Sequence, residues 1–298
     1  MPDAVVTGLA TMLGAGLLVG IAPAASASGT WMLAGLALAA LVAVACGLST
    51  SERTTPLAVL GRSAGAAAIA LAFGRYLVPE HPVPAAGVVL VVAMLLSAFG
   101  FRPPRLLIRA GVVVVLAVLA VFVAACLAIA PPPNASGAEG VAGLPAATAF
   151  LVFGFLGTDR KLATPRHRVI AIGVALVIYL VVAGAALYQL GGTRLGLSPV
   201  PLRDALAAAD ATGIDPVLTV GAALATVLAL LGVFEDLWAD DEPWQVIAGG
   251  AAMALGALLL TVPALLLVAV ALMVGHHLLA LVTSRRGSAR TRPRSGRS

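Results

Sequence analysis

Two glycine clusters interrupt this apolar chain. Leu13-Gly14-Ala15-Gly16-Leu17-Leu18-Val19-Gly20 lies near its start, and Phe153-Gly154-Phe155-Leu156-Gly157-Thr158-Asp159 near its middle. The glycines carry no reactive side chains, so whatever chemistry they offer belongs to the main chain. Where a helix unwinds, N–H groups at the start of one half-helix and C=O groups at the end of the other lose their partners. The N–H end attracts a carboxylate, and the C=O end attracts an ammonium group or a cation. An amino acid zwitterion presents both. Bulky side chains at the break would block its approach, whereas glycine leaves the backbone open. A second reading of Gly16-Leu17-Leu18-Val19-Gly20 is a small-xxx-small packing face between helices.

Few side chains could add proton or ion chemistry. Asp159 follows the second cluster and is a candidate gate or proton carboxylate, because intramembrane acids are functional by default. His276-His277 lies about 10 Å from one end of the last apolar run, at 1.5 Å per residue. His276 is a candidate proton site, with a packed polar pair as the alternative. The stretch Glu235-Asp236-Leu237-Trp238-Ala239-Asp240-Asp241-Glu242 reads as a solvated loop. Its rival is a magnesium-diphosphate site of the prenyltransferase kind, which needs two such clusters where this chain has one. No metal set or resident cofactor is expected, and the chain is not expected to be an enzyme. Cys46 and Cys126 lie in apolar runs and read as small hydrophobes.

The elements that must position these residues are membrane helices. Of 298 residues, 61% are hydrophobic and 10% charged, and the mean hydropathy is +1.07. Soluble domains carry roughly 25% charged residues, so the expected solvent is a lipid bilayer, with no nucleic-acid partner. A span needs about 20 apolar residues, and long runs must be cut at turn signals. Residues 4–49 divide at Pro23 to Gly29, 84–129 at Gly100 to Arg105, and 245–283 at Thr261-Val262-Pro263. The remaining spans are 57–78, 144–157, 168–190 and 215–234, giving ten. A signal peptide begins with a basic region, but residues 1–12 hold only Asp3, so 5–22 is read as a retained first span.

Ten spans place both termini on one side. With that side cytoplasmic, nine basic residues fall in inner segments and six more in the tail, against Arg75, Arg194 and Arg203 outside. That is the bias expected of the positive-inside rule. Residues 284–298, rich in arginine, glycine and serine, are expected to be a disordered cytoplasmic tail. The rest forms one transmembrane domain of two five-span repeats, 4–129 and 144–283. Five is odd, so the second repeat runs opposite to the first, as in transporters built from inverted repeats. Helices 1 and 6 of such a fold are discontinuous, and glycine clusters fall in both.

In the order and spacing of its motifs the chain resembles the amino acid/polyamine/organocation (APC) superfamily of permeases. Leu13 to Val19 is similar to that family's first-helix signature, and Phe153 to Asp159 to its sixth-helix segment. Thr164-Pro165-Arg166-His167-Arg168 resembles the stretch before the seventh helix, and Gly100-Phe101-Arg102 with Arg105 the loop between helices four and five. The resemblance covers about residues 4–283 and implies a compact ten-helix permease. It implies a mobile bundle of spans 1, 2, 6 and 7, a scaffold of spans 3, 4, 8 and 9, and gates in 5 and 10. The main-chain groups of Gly14, Ala15, Gly16 and Leu17 would hold a substrate carboxylate. Those of Phe153, Gly154 and Phe155 would face its amino group, with Gly157 completing the break and Phe155 as a lid. Val114, which cannot titrate, stands where many proton-coupled members have lysine. The eighth span offers Thr219 and Thr226 but no adjacent Ser/Thr pair of the kind that helps hold sodium. The resemblance therefore does not choose between H+ and Na+ as the coupling ion. The expected function is secondary-active transport of an amino acid or related amine across the cell's inner (plasma) membrane. The alternative is a non-transporting or regulatory protein on a degenerate permease fold.

Overall fold

A computed structural model describes residues 3–47, 55–131, 140–156, 164–237 and 243–290. Twelve α-helices, joined by turns and three short 3₁₀ segments, occupy them. They are α1 (Asp3–Val19), α2 (Ile21–Ser28), α3 (Met32–Gly47), α4 (Pro56–Leu77), α5 (Pro82–Ala98) and α6 (Arg105–Ala128). Then follow α7 (Leu144–Leu156), α8 (Pro165–Leu197), α9 (Pro201–Ala208), α10 (Asp215–Leu237), α11 (Pro243–Leu259) and α12 (Val262–Arg290). No strand occurs among the described residues.

Six stretches are long and apolar enough to cross a membrane: Ile21–Cys46, Pro56–Leu77, Arg105–Ala128, Pro165–Leu197, Thr212–Leu237 and Val262–Ala280. The first passes through a turn at Gly29, whose φ is +59°. Val5–Val19, Pro82–Ala98, Val141–Phe155 and Ile247–Leu259 are shorter apolar helices. Large apolar side chains such as Val88, Val113, Val177, Val220 and Leu258 stand exposed along their flanks. In water such a surface would drive aggregation; in a bilayer it meets lipid tails as apolar as itself.

Local chemistry explains where helices begin and end. Proline opens α4, α5, α8 and α9, where its missing N–H costs nothing. The Thr55 hydroxyl accepts the Ala58 N–H, and that of Thr164 the His167 N–H, each at 3.4 Å. Both threonines are N-caps. The turn between α5 and α6 uses Gly100 at φ +71°. Inside α8 the helical backbone is broken at Gly191, φ +68° and ψ 165°, at the end of the apolar run that stops at 190. Residues after it fold back onto α2, so that a Cβ on Gly192 would lie 2.8 Å from the Gly29 Cα. The helix α9, with Leu202, Ala205 and Leu206 buried, gives no sign in the apolar runs. α12 continues to Arg290, seven residues into the tail expected to be disordered; residues 291–298 lie outside the described set.

The structure corrects the place of the first discontinuity. α1 stays wound through Gly14, Ala15, Gly16 and Leu17, and the interruption falls at Gly20, where α1 passes into α2. Pro23 is the cause: its ring crowds the carbonyl four residues back, that of Val19, and it has no N–H to offer it. The turn is only loosened, because the Gly20 N–H still reaches the Gly16 carbonyl and the Ala24 N–H the Gly20 carbonyl, both at 3.1 Å.

The packing centres on α1, α4, α8 and α10. α4 carries α12, α5, α11 and α10, while α1 is held among α10, α8 and α7. α7 runs antiparallel to α1–α2, since the built Cβ of Gly143 falls against Ala27 and that of Gly154 against Gly16. α10 is antiparallel to α6, with Gly111 opposite Leu228 and Gly221 opposite Val118.

Gln189 of α8, fully buried, sends its Nε2 to the Cys126 carbonyl and, at 2.8 Å, to that of Ile129. These belong to the last turn of α6, whose carbonyls have no helical partner. Replacing Gln189 by leucine is expected to cost about 1–3 kcal/mol of stability, the penalty of a buried carbonyl left unpaired. A lowered thermal unfolding midpoint in detergent, with unchanged helical circular dichroism at room temperature, would be the observed effect.

Candidate functional site: the contact of α1, α7 and α8

Gly14 and Gly16 are two residues apart on a wound helix, so about 200° separates the directions they face. They therefore serve different neighbours. A Cβ on Gly14 would run into the main-chain carbonyl of Ala225 in α10. A Cβ on Gly16 would strike the Tyr179 ring of α8, and one on Gly154 would lie 2.7 Å from the Gly16 Cα. Close approach accounts for glycine at all three places, against main chain at Gly14 and Gly154 and against a side chain at Gly16: α1 is squeezed between α10 on one side and α7 with α8 on the other. Leu13 and Leu17 are buried beside them.

Tyr179 is the side chain that joins these elements. Buried at 2% exposure, its hydroxyl donates to the Met12 carbonyl of α1 and lies 3.2 Å from the Gly154 carbonyl of α7. Its ring packs against Phe155 with centroids 5.1 Å apart, tilted by 48°, a favourable aromatic geometry. Phe155 is thus wedged beside Tyr179, and Phe153 points the other way, onto Gly65 of α4. The structure brings Gly16, Gly154 and Phe155 together around Tyr179. Gly14 and Phe153 belong to neighbouring contacts, and Ala15 is wound into α1. Gly157 and Asp159 lie outside the described residues.

Tyr179, Gly65 and Ala225 are absent from the residues that the sequence marks out. Tyr179 had a signal: it puts a hydroxyl in the middle of the apolar run 168–190, and a buried hydroxyl in lipid requires a partner. Gly65 and Ala225 had none, because their importance comes from which helix lies opposite.

The contact is closed. The cavity beside Gly16, Leu17 and Tyr179 measures about 10 Å³, room for about one water molecule. Two larger cavities lie toward the opposite ends of α1–α2. One of about 260 Å³ is lined by Thr7, Thr11, Ser97, Arg102 and Glu235 among others. The other, of about 230 Å³, lies beside Leu18, Ala22, Ser26, Arg75 and Ser198. The joint of α1, α7 and α8 lies between them along the chain of α1.

His276 sits elsewhere. It is buried on α12, its Nδ1 2.8 Å from the Thr55 hydroxyl at the start of α4, and its ring centroid is 5.3 Å from that of His277. It lines none of these cavities. Of the acidic stretch, Glu235 faces the larger cavity and Asp236 is buried; residues 238–242 lie outside the described set. Among the described residues no three of His, Cys, Asp or Glu converge as metal ligands.

Proteins named as uncharacterized transporters are similar to this chain. Those from Mycobacterium tuberculosis and Mycobacterium bovis are 32% identical to it over 271 residues, covering 78% of this chain and 62% of the relative. The chain thus spans somewhat less than two thirds of the length of these relatives. No family model matches it.

Proposed function

We propose that this chain is a membrane transporter of the APC permease type, moving an amino acid or related amine by alternating access between α1 and α7. The observation that carries the reading is the closed glycine–tyrosine joint with a cavity toward either end of α1–α2. A molecule admitted from one end would have to pass where Gly16, Gly154 and Tyr179 now meet, and only relative movement of α1 and α7 opens that path. The relatives named as transporters support it.

Helix pairing supports the five-plus-five arrangement. The six long and four shorter apolar stretches supply ten segments, and several contacts recur when a segment is exchanged for the one five later, while α1 on α10 and α6 on α8 have no comparable counterpart. α3 packs on α7 as α8 packs on α1–α2; α4 on α12 as α10 on α6; α1 on α6 as α7 on α12; α5 on α10 as α11 on α4. α4 with α10, α3 with α8 and α1–α2 with α7 are pairs such an exchange leaves unchanged. In this reading residues 1–283 form one domain in the cell membrane with both termini cytoplasmic. The coupling ion is H+ or Na+, and Asp159 and His276 are candidate gate or proton sites.

One observation favours the degenerate, non-transporting alternative: α1 is fully wound at Gly14 to Gly16, so its main-chain groups are spent on helix bonds. Uptake of a panel of radiolabelled amino acids and amines into proteoliposomes decides between the two. Saturable uptake of at least one compound is the expected result; none across the panel, with the protein folded, would leave the alternative.

A further inference from the structure

Among the described residues, Arg75 is the one charged side chain lining the cavity of about 230 Å³ beside the α1–α2 bend. It stands in the last turn of α4 and is half-buried. Two carboxylates around α9 are engaged otherwise. Asp204 takes the Ser198 hydroxyl, and Asp215 takes the Arg203 guanidinium at 2.7 Å, whose other partner is the Thr219 hydroxyl. No carboxylate among the described residues pairs with Arg75. The rest of the wall is apolar or weakly polar: Leu18, Ala22, Ser26, Ser198 and Val262.

The surrounding structure is built to hold this wall. Tyr76, next in sequence, is buried, and its hydroxyl accepts the Leu202 N–H at 3.2 Å, fastening α9 to α4. The Ser198 hydroxyl accepts the Val200 N–H at 3.1 Å. Gly196 lies so close to Ser26 that an added Cβ would be 2.6 Å from its Cα. The cavity therefore touches the segment where α1 gives way to α2, the most easily bent part of that helix.

A guanidinium is always charged and offers a planar fork that fits a carboxylate with two parallel hydrogen bonds. In a partly desolvated cavity that pairing is stronger than in water. The volume is below the roughly 300–1,000 Å³ of sites for drug-sized ligands, which restricts the occupant to a small metabolite. We infer that this cavity is a binding site for a small carboxylate, held by Arg75 at the mouth of the pathway before it reaches the α1–α7 joint. The inference rests on the transporter reading for its place in a pathway. A resident ion-pair role for Arg75 is disfavoured, since no described carboxylate pairs with it. A helix-end role, its charge near the negative end of α4, predicts no ligand effect at all.

Arginine-selective labelling with phenylglyoxal separates these roles on the unmodified protein, read by mass spectrometry of the Arg75 peptide. Arg194, exposed and outside the cavity lining, is the internal control. The panel is the twenty amino acids and short mono- and dicarboxylic acids, each beside an uncharged or decarboxylated counterpart. At least one carboxylate is expected to slow Arg75 labelling fivefold or more, its counterpart less than twofold, with Arg194 unchanged. Absence of protection by every acid, or equal protection by inorganic phosphate and sulfate, overturns the inference. In proteoliposomes R75Q should raise the half-saturation concentration of the protecting acid at least tenfold with maximal rate within twofold, and R75K should recover part of it. Protection without uptake would sink the transport reading and leave this site standing; uptake with neither protection nor an R75Q effect does the reverse.

Discussion

Gly14→Ala is expected to destabilise the protein by about 1–3 kcal/mol, the usual cost of forcing an extra methyl into a packed core. On an unhindered helix position the same change should be mildly favourable, by roughly 0.5–1 kcal/mol. The sign is decided by what lies opposite. At Gly14 the new methyl meets the Ala225 carbonyl and the Ala229 side chain of α10. Main chain in the middle of a helix cannot swing aside, so α1 and α10 must separate, and Leu13, Leu218 and Ala222 lose packing with them. Gly173 of α8 has nothing within 4 Å of an added Cβ and serves as the control. Thermal unfolding midpoints of G14A and G173A in the same detergent should move in opposite directions. Equal midpoints would mean that α1 and α10 are not in contact as described.

The second large effect is at the joint itself. Gly16→Ala brings a methyl onto the Tyr179 ring, and a ring, unlike a carbonyl, can rotate away. Doing so breaks its hydrogen bond to the Met12 carbonyl and exposes the pairing with Gly154. In the proposed transport cycle the α1–α7 contact forms and parts, so on that reading G16A is expected to fold and yet lose uptake tenfold or more. A leucine at the same place should abolish uptake. Tyr179→Phe keeps the ring and removes only the bridge, so it should fold, with a loss of about 1 kcal/mol for one neutral hydrogen bond. Its effect on uptake tests whether the bridge matters in the cycle. In the double variant G16A/Y179F the two losses should not add, since both act on one contact. Strict additivity in uptake rates would show that Gly16 and Tyr179 act separately.

Much of the helix layout is legible in the residues themselves. The cuts at Pro23–Gly29, Gly100–Arg105 and Pro263 fall where helices do end or bend, because proline and glycine act through local backbone geometry. The run ending at residue 190 stops where the α8 backbone breaks, at Gly191. The glycines at 14, 16 and 154 also stand out, since a side chain of one hydrogen in a span of leucine and valine marks a close approach of some kind.

Which approach is not legible there. The glycine clusters are compatible with an unwound helix bearing bare main-chain groups, or with a packing face. The structure makes Gly14, Gly16 and Gly154 helix contacts and moves the discontinuity to Gly20. A glycine permits both outcomes equally, and only the neighbour opposite selects one. Pro23 fixes the position of the bend through a clash four residues back, a local rule that the adjacent glycines obscure. The partnership of Tyr179 with Met12 and Gly154 joins residues 167 and 25 apart in the chain, so no local pattern contains it. Composition and backbone geometry act residue by residue, so the helical, lipid-facing character of the chain and the places where its helices are interrupted are written along it. That the clusters meet around one tyrosine, that the joint is shut, and that Arg75 faces a cavity depend on helices brought together from distant parts of the chain, and these the folded arrangement alone decides.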